Sequence, residues 1–231
     1  MTKIIPENER YFTDHGWLKS YWLFSFSDYY DPGNIHHGSL RVFNDDYVDP
    51  HSGFATHPHR EMEIITMVLE GAITHKDSMG NETVIRAGEV QSMSAGTGIT
   101  HSEHNRENEV LHLYQIWIFP EKQGLKPSYD QKAFDPSLWR NSLYPVASGQ
   151  GKEEAVRINA DATIYRCILD KGNILKQDIS ENRHILIYIT EGELEVNGHT
   201  AKENDQIRLS GETGLKIKSN READFVLVDV S

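Results

Sequence analysis

Two short stretches carry side chains whose types and spacing could hold a metal ion. Thr56-His57-Pro58-His59 places two imidazoles at i and i+2, and Thr100-His101-Ser102-Glu103 places an imidazole and a carboxylate at the same spacing. On a β-strand successive side chains alternate faces, so residues two apart project together. His57 and His59 therefore share one strand face, and His101 and Glu103 share another. Two such strands side by side in a barrel would give the interior three imidazoles and one carboxylate. That set suits a divalent first-row metal with positions left open for water, oxygen or substrate. A lone His-x-His among twelve histidines is more often solvated or structural. The second pair, on a second strand-like stretch, is what favours a metal.

The elements needed to position these pairs are legible as short strands. Leu40-Arg41-Val42-Phe43-Asn44 alternates apolar and polar residues as a half-buried strand does. Ile64 to Leu69 is apolar and β-branched and ends in the turn Glu70-Gly71. Ala72 to Ser78 follows, with Met79-Gly80-Asn81 as a hairpin tip. Val84-Ile85, Val90 to Met93 and a glycine-rich bend at Gly96 and Gly98 lead to His101, and Leu111 to Phe119 closes this half. Many short strands at close spacing indicate an all-β sandwich or barrel. The aromatic stretch from Trp17 to Tyr30 reads as a strand and loop packed on the core, with pocket-walling rings as the sharper alternative. His36 and His37 read as a solvated loop, and His75, His104 and His112 as surface residues or as residues behind the ligands. Phe54, Met93, Gln115 and Trp117 are the inward-facing candidates for a substrate pocket, although Ile116 and Ile118 on the opposite face leave the parity of that last strand open.

The second half echoes the first. Tyr188-Ile189-Thr190-Glu191-Gly192 mirrors Met67 to Gly71, Asn204 to Ser210 mirrors Gly88 to Ser94, and Phe225 to Val230 mirrors Leu113 to Ile118. The expected architecture is an all-β bicupin: a metal-binding barrel over residues 1–125, a connection over 126–155 with a helical turn near Pro136, and a second barrel over 156–231. Aligned by this echo, Asp178 and Ser180 stand where His57 and His59 stand, and Ile217 and Ser219 replace His101 and Glu103. An isoleucine cannot ligate a metal, so the second barrel is expected to be structural.

The chain has 231 residues, ample for such a core. Its formal charge of −12 at pH 7 repels phosphate backbones and argues against direct nucleic-acid binding. No apolar run approaches bilayer length, and the N-terminal residues lack the apolar core of a signal peptide. Cys167 is the only cysteine and reads as a small buried hydrophobe, so no intrachain disulfide forms. These features fit a cytoplasmic protein without membrane contact.

Gly53-Phe54-Ala55-Thr56-His57-Pro58-His59, with Glu63 and Leu69-Glu70-Gly71, resembles the first motif of the cupin superfamily; Ala87-Gly88-Glu89 and Ser94 through Glu103 resemble the second. Within cupins the chain is most similar to the pirin family, and the stretch from His15 to Pro32 resembles that family's N-terminal signature. The resemblance implies His57, His59, His101 and Glu103 as metal ligands. General cupins draw a ligand from the position of Glu63, which here is expected behind the ligands or lining the pocket and stands as the alternative ligand. The resemblance further implies a flavonol 2,3-dioxygenase that opens quercetin with O2 and releases carbon monoxide, Glu103 serving as ligand and general base. It points to Fe2+, although the donors also suit Ni, Co, Cu, Mn or Zn. Some pirin-like proteins act instead as metal-bound, redox-responsive regulators of a protein partner, which is the alternative function. An isomerase or sugar-binding cupin would need a more polar pocket.

Overall fold

Apolar and β-branched runs, punctuated by turns, form twenty strands in the computed structural model, which describes residues 1–231. The first half contains β1 (Thr2–Ile5), β2 (Tyr11–Asp14), β3 (Leu18–Trp22), β4 (Leu40–Val48), β5 (Gly53–His59), β6 (Glu63–Glu70), β7 (Ala72–Asp77), β8 (Glu82–Arg86), β9 (Glu89–Ser94), β10 (Ile99–His104) and β11 (Leu111–Ile118). Then come β12 (Ser128–Ala133), β13 (Tyr144–Ser148), β14 (Val156–Arg157), β15 (Ala162–Leu169), β16 (Ile174–Asp178), β17 (His184–Val196), β18 (His199–Lys202), β19 (Gln206–Ser210) and β20 (Gly214–Val230). The helical pieces are single 3-10 turns at Glu7–Glu9 and Pro136–Trp139, the second capped by the Asp135 side chain accepting from the Ser137 amide.

The strands build two cupin-type barrels in tandem. A seven-stranded sheet, in the order β12-β9-β6-β11-β4-β3-β2, faces a four-stranded sheet, β5-β10-β7-β8. Leu18, Val48, Val68, Ile73, Ile85, Leu111 and Leu113 fill one end of the space between them, and Ile64, Met93, Ala95 and Ile99 fill the other. The second barrel is a nine-stranded sheet in which β17 and β20, 13 and 17 residues long, pair through register shifts after Ile189, Glu191 and Glu193. Such bulges bend strands and increase their twist. Its interior is apolar: Ile185, Ile187, Leu194, Ile207, Leu215, Ile217 and Phe225 pack there, with Cys167 among them. Burial pushes the Cys167 thiol up to about 12, so it behaves as an inert hydrophobe.

The two barrels meet sheet against sheet. Phe43, Ile65, Met67, Tyr114, Ile116 and Ile118 of the first pack on Ile164, Leu186, Tyr188, Val226 and Val228 of the second. Hence β6 and β11 are buried on both faces, one toward the barrel interior and the other toward the neighbouring barrel. Asp45 pins this junction. It accepts from Tyr188 Oη at 2.7 Å and His112 Nε2 at 2.6 Å and pairs with Arg10 at 3.3 Å. Three features depart from the expected organisation. β1 pairs with β19, so the N-terminal strand completes the second barrel's sheet. The stretch 126–155 supplies β12, an edge strand on β9, and β13, as well as the expected turn at Pro136. His37 is docked rather than solvated: its Nε2 lies 3.2 Å from the carbonyls of Ile185 and Leu209. No helix is long and apolar enough to cross a membrane.

Candidate metal centre

The centre is built on β10, which lies between β5 and β7. In register, His101 faces His57 and Glu103 faces Phe54. Between these pairs the single residue Ser102 on β10 opposes both Ala55 and Thr56 on β5, a bulge that reverses the side-chain parity of β5. This is why Phe54 and His57, an odd number of positions apart, both face inward. Gly53 makes the bulge sterically feasible, since a Cβ there would fall 2.6 Å from the Cα of His104.

The rings of His57 and His101 lie 4.4 Å apart, those of His57 and His59 4.8 Å, and those of His59 and His101 4.9 Å. One nitrogen from each lies within 4.8 Å of the others. Glu103 belongs to a second group with the same span, formed with His101 and His75, so His101 is common to both. Hydrogen bonds orient these donors. His57 Nδ1 donates to the Ala55 carbonyl at 2.8 Å, leaving Nε2 bare. Glu103 accepts from Gln115 Nε2 at 3.1 Å and from Thr66 Oγ1 at 3.4 Å.

Electrostatically the site is prepared for a cation. Burial lowers His101 to about 2, with the neighbouring imidazoles adding to the effect, and burial together with His57 lowers His59 to about 4. Both rings are neutral at physiological pH, as a metal ligand must be. Burial raises Glu103 to about 7 against the bonds from Thr66 and Gln115. His101 Nε2 is buried without a hydrogen-bond partner. An unpaired lone pair inside a protein costs free energy unless something fills it. The bare His57 Nε2 and the neutral His59 ring beside it, with a buried carboxylate that no cationic side chain pairs, fit a divalent metal ion.

The donors open onto a cavity of about 570 Å³, within the roughly 300–1,000 Å³ range of small-molecule sites. Trp17, Trp22, Phe26, Phe54 and Trp117 wall it. Phe26 stands edge-on between Trp22 and Trp117, at 5.2 and 5.3 Å, and Trp117 stands edge-on to His59 at 4.9 Å. Ser20, Asn44 and Asp46 provide a polar floor. Asp46 is buried, bonded to the Ser20 hydroxyl, and raised by burial to about 7. Trp117 Nε1 and Asn44 Oδ1 have no protein partner.

The family model described as "Pirin" matches residues 6–118, and the model described as "Quercetinase C-terminal cupin domain" matches residues 145–230. The chain is 41% identical to a quercetin 2,3-dioxygenase of Escherichia coli K12 over 224 residues, covering 96% of both chains. It is also 41% identical to a pirin-like protein of Caulobacter vibrioides over 219 residues, covering 94% of each. The chain belongs to the pirin family. A crystal structure of the bacterial pirin YhhW from Escherichia coli in complex with nickel(II) superposes with a TM-score of 0.94 at 39% identity, covering 100% of this chain and 99% of that one. A second YhhW structure gives 0.95 at 40% identity, covering 100% and 98%. Together with the His/Glu donors of this chain, the nickel complex supports a divalent-metal pirin.

Within this pirin fold, His57, His59, His101, Glu103, Phe54, Gln115 and Trp117 all line the one cavity. Glu63 and Met93 do not. Glu63 is buried where Ser94 Oγ and the Asn159 amide donate to it at 2.6 and 2.9 Å, fastening the loop between β14 and β15 of the second barrel. Met93 packs in the apolar cluster with Ile64, Ala95 and Ile99. Of the aromatic N-terminal stretch, Trp17, Trp22 and Phe26 wall the pocket, which is the sharper reading and not the favoured one. Asn44 and Asp46 went unread because their strand runs on to Val48 with both faces buried. His112 turns toward Asp45 on the opposite face.

Proposed function

We propose that this pirin is a metal-dependent dioxygenase that opens the heterocycle of flavonols such as quercetin and releases carbon monoxide, working in the cytoplasm on a small aromatic substrate and O2. The observation that carries the reading is the convergence of three imidazoles at an aromatic-walled cavity. His57, His59, His101 and Glu103 would hold one divalent ion, Fe2+ being the proposed native metal, with Ni, Co, Cu, Mn or Zn as alternatives the same donors accept. When bound, the ion supplies Lewis acidity toward a substrate hydroxyl and redox-capable chemistry toward dioxygen.

The chain's own residues do the rest. Trp17, Phe26, Phe54 and Trp117 present ring faces and edges to a flat polyphenol, for which aromatic contacts are worth roughly 0.5–1.5 kcal/mol each beyond burial. Trp117 Nε1 offers a donor and Asn44 Oδ1 an acceptor, both without protein partners, to fix its orientation. Glu103, poised near neutrality by burial, accepts the proton of the 3-hydroxyl. Gln115 and Thr66 hold that carboxylate in place.

An oxygen electrode and carbon monoxide detection on metal-loaded protein test the reading. Quercetin-dependent uptake that disappears in His57→Ala and His101→Ala supports it. A fully metal-loaded wild type without uptake would refute it and favour a metal-bound regulator of a protein partner.

A further inference from the structure

Behind the metal-facing side of His101 lies a chain of hydrogen bonds that the proposed chemistry does not use. β7 runs antiparallel to β10, with Asp77 opposite His101 and His75 opposite Glu103. A His-x-Asp on one strand therefore faces the His-x-Glu of the other, all four side chains on the interior face. His101 Nδ1 lies 3.5 Å from His75 Nδ1, and His75 Nε2 lies 3.1 Å from Asp77 Oδ2. His75 is fully buried, and His101 is 2% exposed. The Tyr129 ring covers His75 at 5.1 Å, itself held by a 2.6 Å bond between its hydroxyl and Thr83 Oγ1. Asp77 is fixed in turn, accepting from the Met79 amide at 2.9 Å and from the Asn81 amide at 3.1 Å.

These contacts determine the tautomers. A carboxylate accepts only, so His75 Nε2 carries the proton and His75 Nδ1 is bare. A bare His75 Nδ1 must receive the proton of His101 Nδ1. The remaining nitrogen of His101, Nε2, is then a free lone pair, and it is the ring nitrogen found without a partner. Metal-bound imidazoles commonly donate their other N–H to a carboxylate or carbonyl, which sets ring orientation and basicity. Here a second imidazole stands between ligand and carboxylate.

We propose that His75 is a positioning residue which, anchored by Asp77, fixes the tautomer and orientation of His101 for the metal. The inference rests on the reading of His101 as a ligand. It also accounts for the group formed by His75, His101 and Glu103: His75 belongs to it as the support of a ligand.

The test is the affinity of metal-free protein for nickel(II), measured by chelator competition, in wild type, His75→Phe and His75→Gln. Phenylalanine preserves bulk and removes both nitrogens, whereas the glutamine amide can accept from His101 and donate to Asp77. The expected result is about 10–100-fold weaker binding in H75F, affinity within a few-fold of wild type in H75Q, and unchanged melting of both metal-free forms relative to each other. The visible spectrum of cobalt(II)-loaded H75F is expected to shift, which loss of packing alone would not produce. Should H75F not fold, His75→Met compared with H75Q makes the same comparison. Wild-type binding with H75F within twofold of it overturns the relay and spares the metal site, as does H75Q no tighter than H75F. Absence of stoichiometric nickel in the wild type overturns the metal site and the relay together.

Discussion

Glu103 is the side chain on which the proposed ligand and base roles converge. Glu103→Gln keeps its shape and one acceptor oxygen for the Gln115 amide but cannot take up a proton at neutral pH. The expected outcome is a loss of about 10²–10⁴ in turnover, read by oxygen uptake at matched metal content. Trp117→Phe separates recognition from stability. It removes an Nε1 donor that no protein atom accepts, so the fold should gain or hold stability while KM for a flavonol rises about tenfold, the worth of one hydrogen bond. Thermal melting and steady-state kinetics on the same preparation check both halves. At this scale the four proposed ligands were legible because i and i+2 share a strand face whatever the register. Asp46 and Asn44 were not, since the cavity they line is closed by side chains from other strands, and His75 was read only as a surface residue or one behind the ligands because its contact with His101 lies across to another strand. Glu63 and Met93 show the same limit from the other side: the resemblance put the first, and strand parity the second, at the pocket, yet Glu63 is bonded by Ser94 and Met93 packs with Ile64, Ala95 and Ile99 without lining the cavity.

The β5–β10 pair is the element that assembles the centre. Its bulge turns Phe54 and His57 to the same side, a fact that strict alternation within β5 would deny. Gly53→Ala would drive a methyl into the backbone of His104. The expected outcome is destabilisation by about 1–3 kcal/mol together with weakened metal retention, read by melting and elemental analysis. A change in melting alone would mean that the bulge is not needed for the donors. Strand positions were readable wherever apolar residues alternated or ran together. β12 was not, because an edge strand of mostly half-exposed polar residues, Ser128–Ala133, carries no such pattern. Nor could the pairing of β1 with β19 be read, for it joins chain segments some two hundred residues apart.

Over the whole molecule, the face between the barrels is as much a core as either interior, and its polar groups set its response to substitution and pH. Asp45→Ala would remove the buried carboxylate from Arg10, whose side chain is 2% exposed, and leave it only the half-exposed Glu7 as an anionic partner; breaking a buried pair costs up to about 3–5 kcal/mol, measurable by denaturant unfolding. His37 couples the same junction to acidity. Burial, then Arg208 and His184, lower it to about 4 from an ordinary 6.5. The unfolded chain takes up that proton near pH 6.5 while the folded one refuses it until about 4. Stability from this group is therefore present above 6.5 and is lost as pH falls through 4, by about 2 kcal/mol, discounted for its partial exposure. His37→Gln should flatten the wild-type stability profile across that window, as followed by chemical denaturation at each pH. The echo between the halves made the double-barrel plan legible. The apolar filling around Ile217 was legible too, because an isoleucine replaces a histidine there.

Anomalous diffraction at the metal edge, from crystals of metal-loaded protein, tests the central claim most directly. The account predicts one peak per chain, in the first barrel, about 2.0–2.2 Å from nitrogens of His57, His59 and His101 and from a Glu103 oxygen. A peak in the second barrel, or one in the first that leaves His101 Nε2 without a partner, would contradict it.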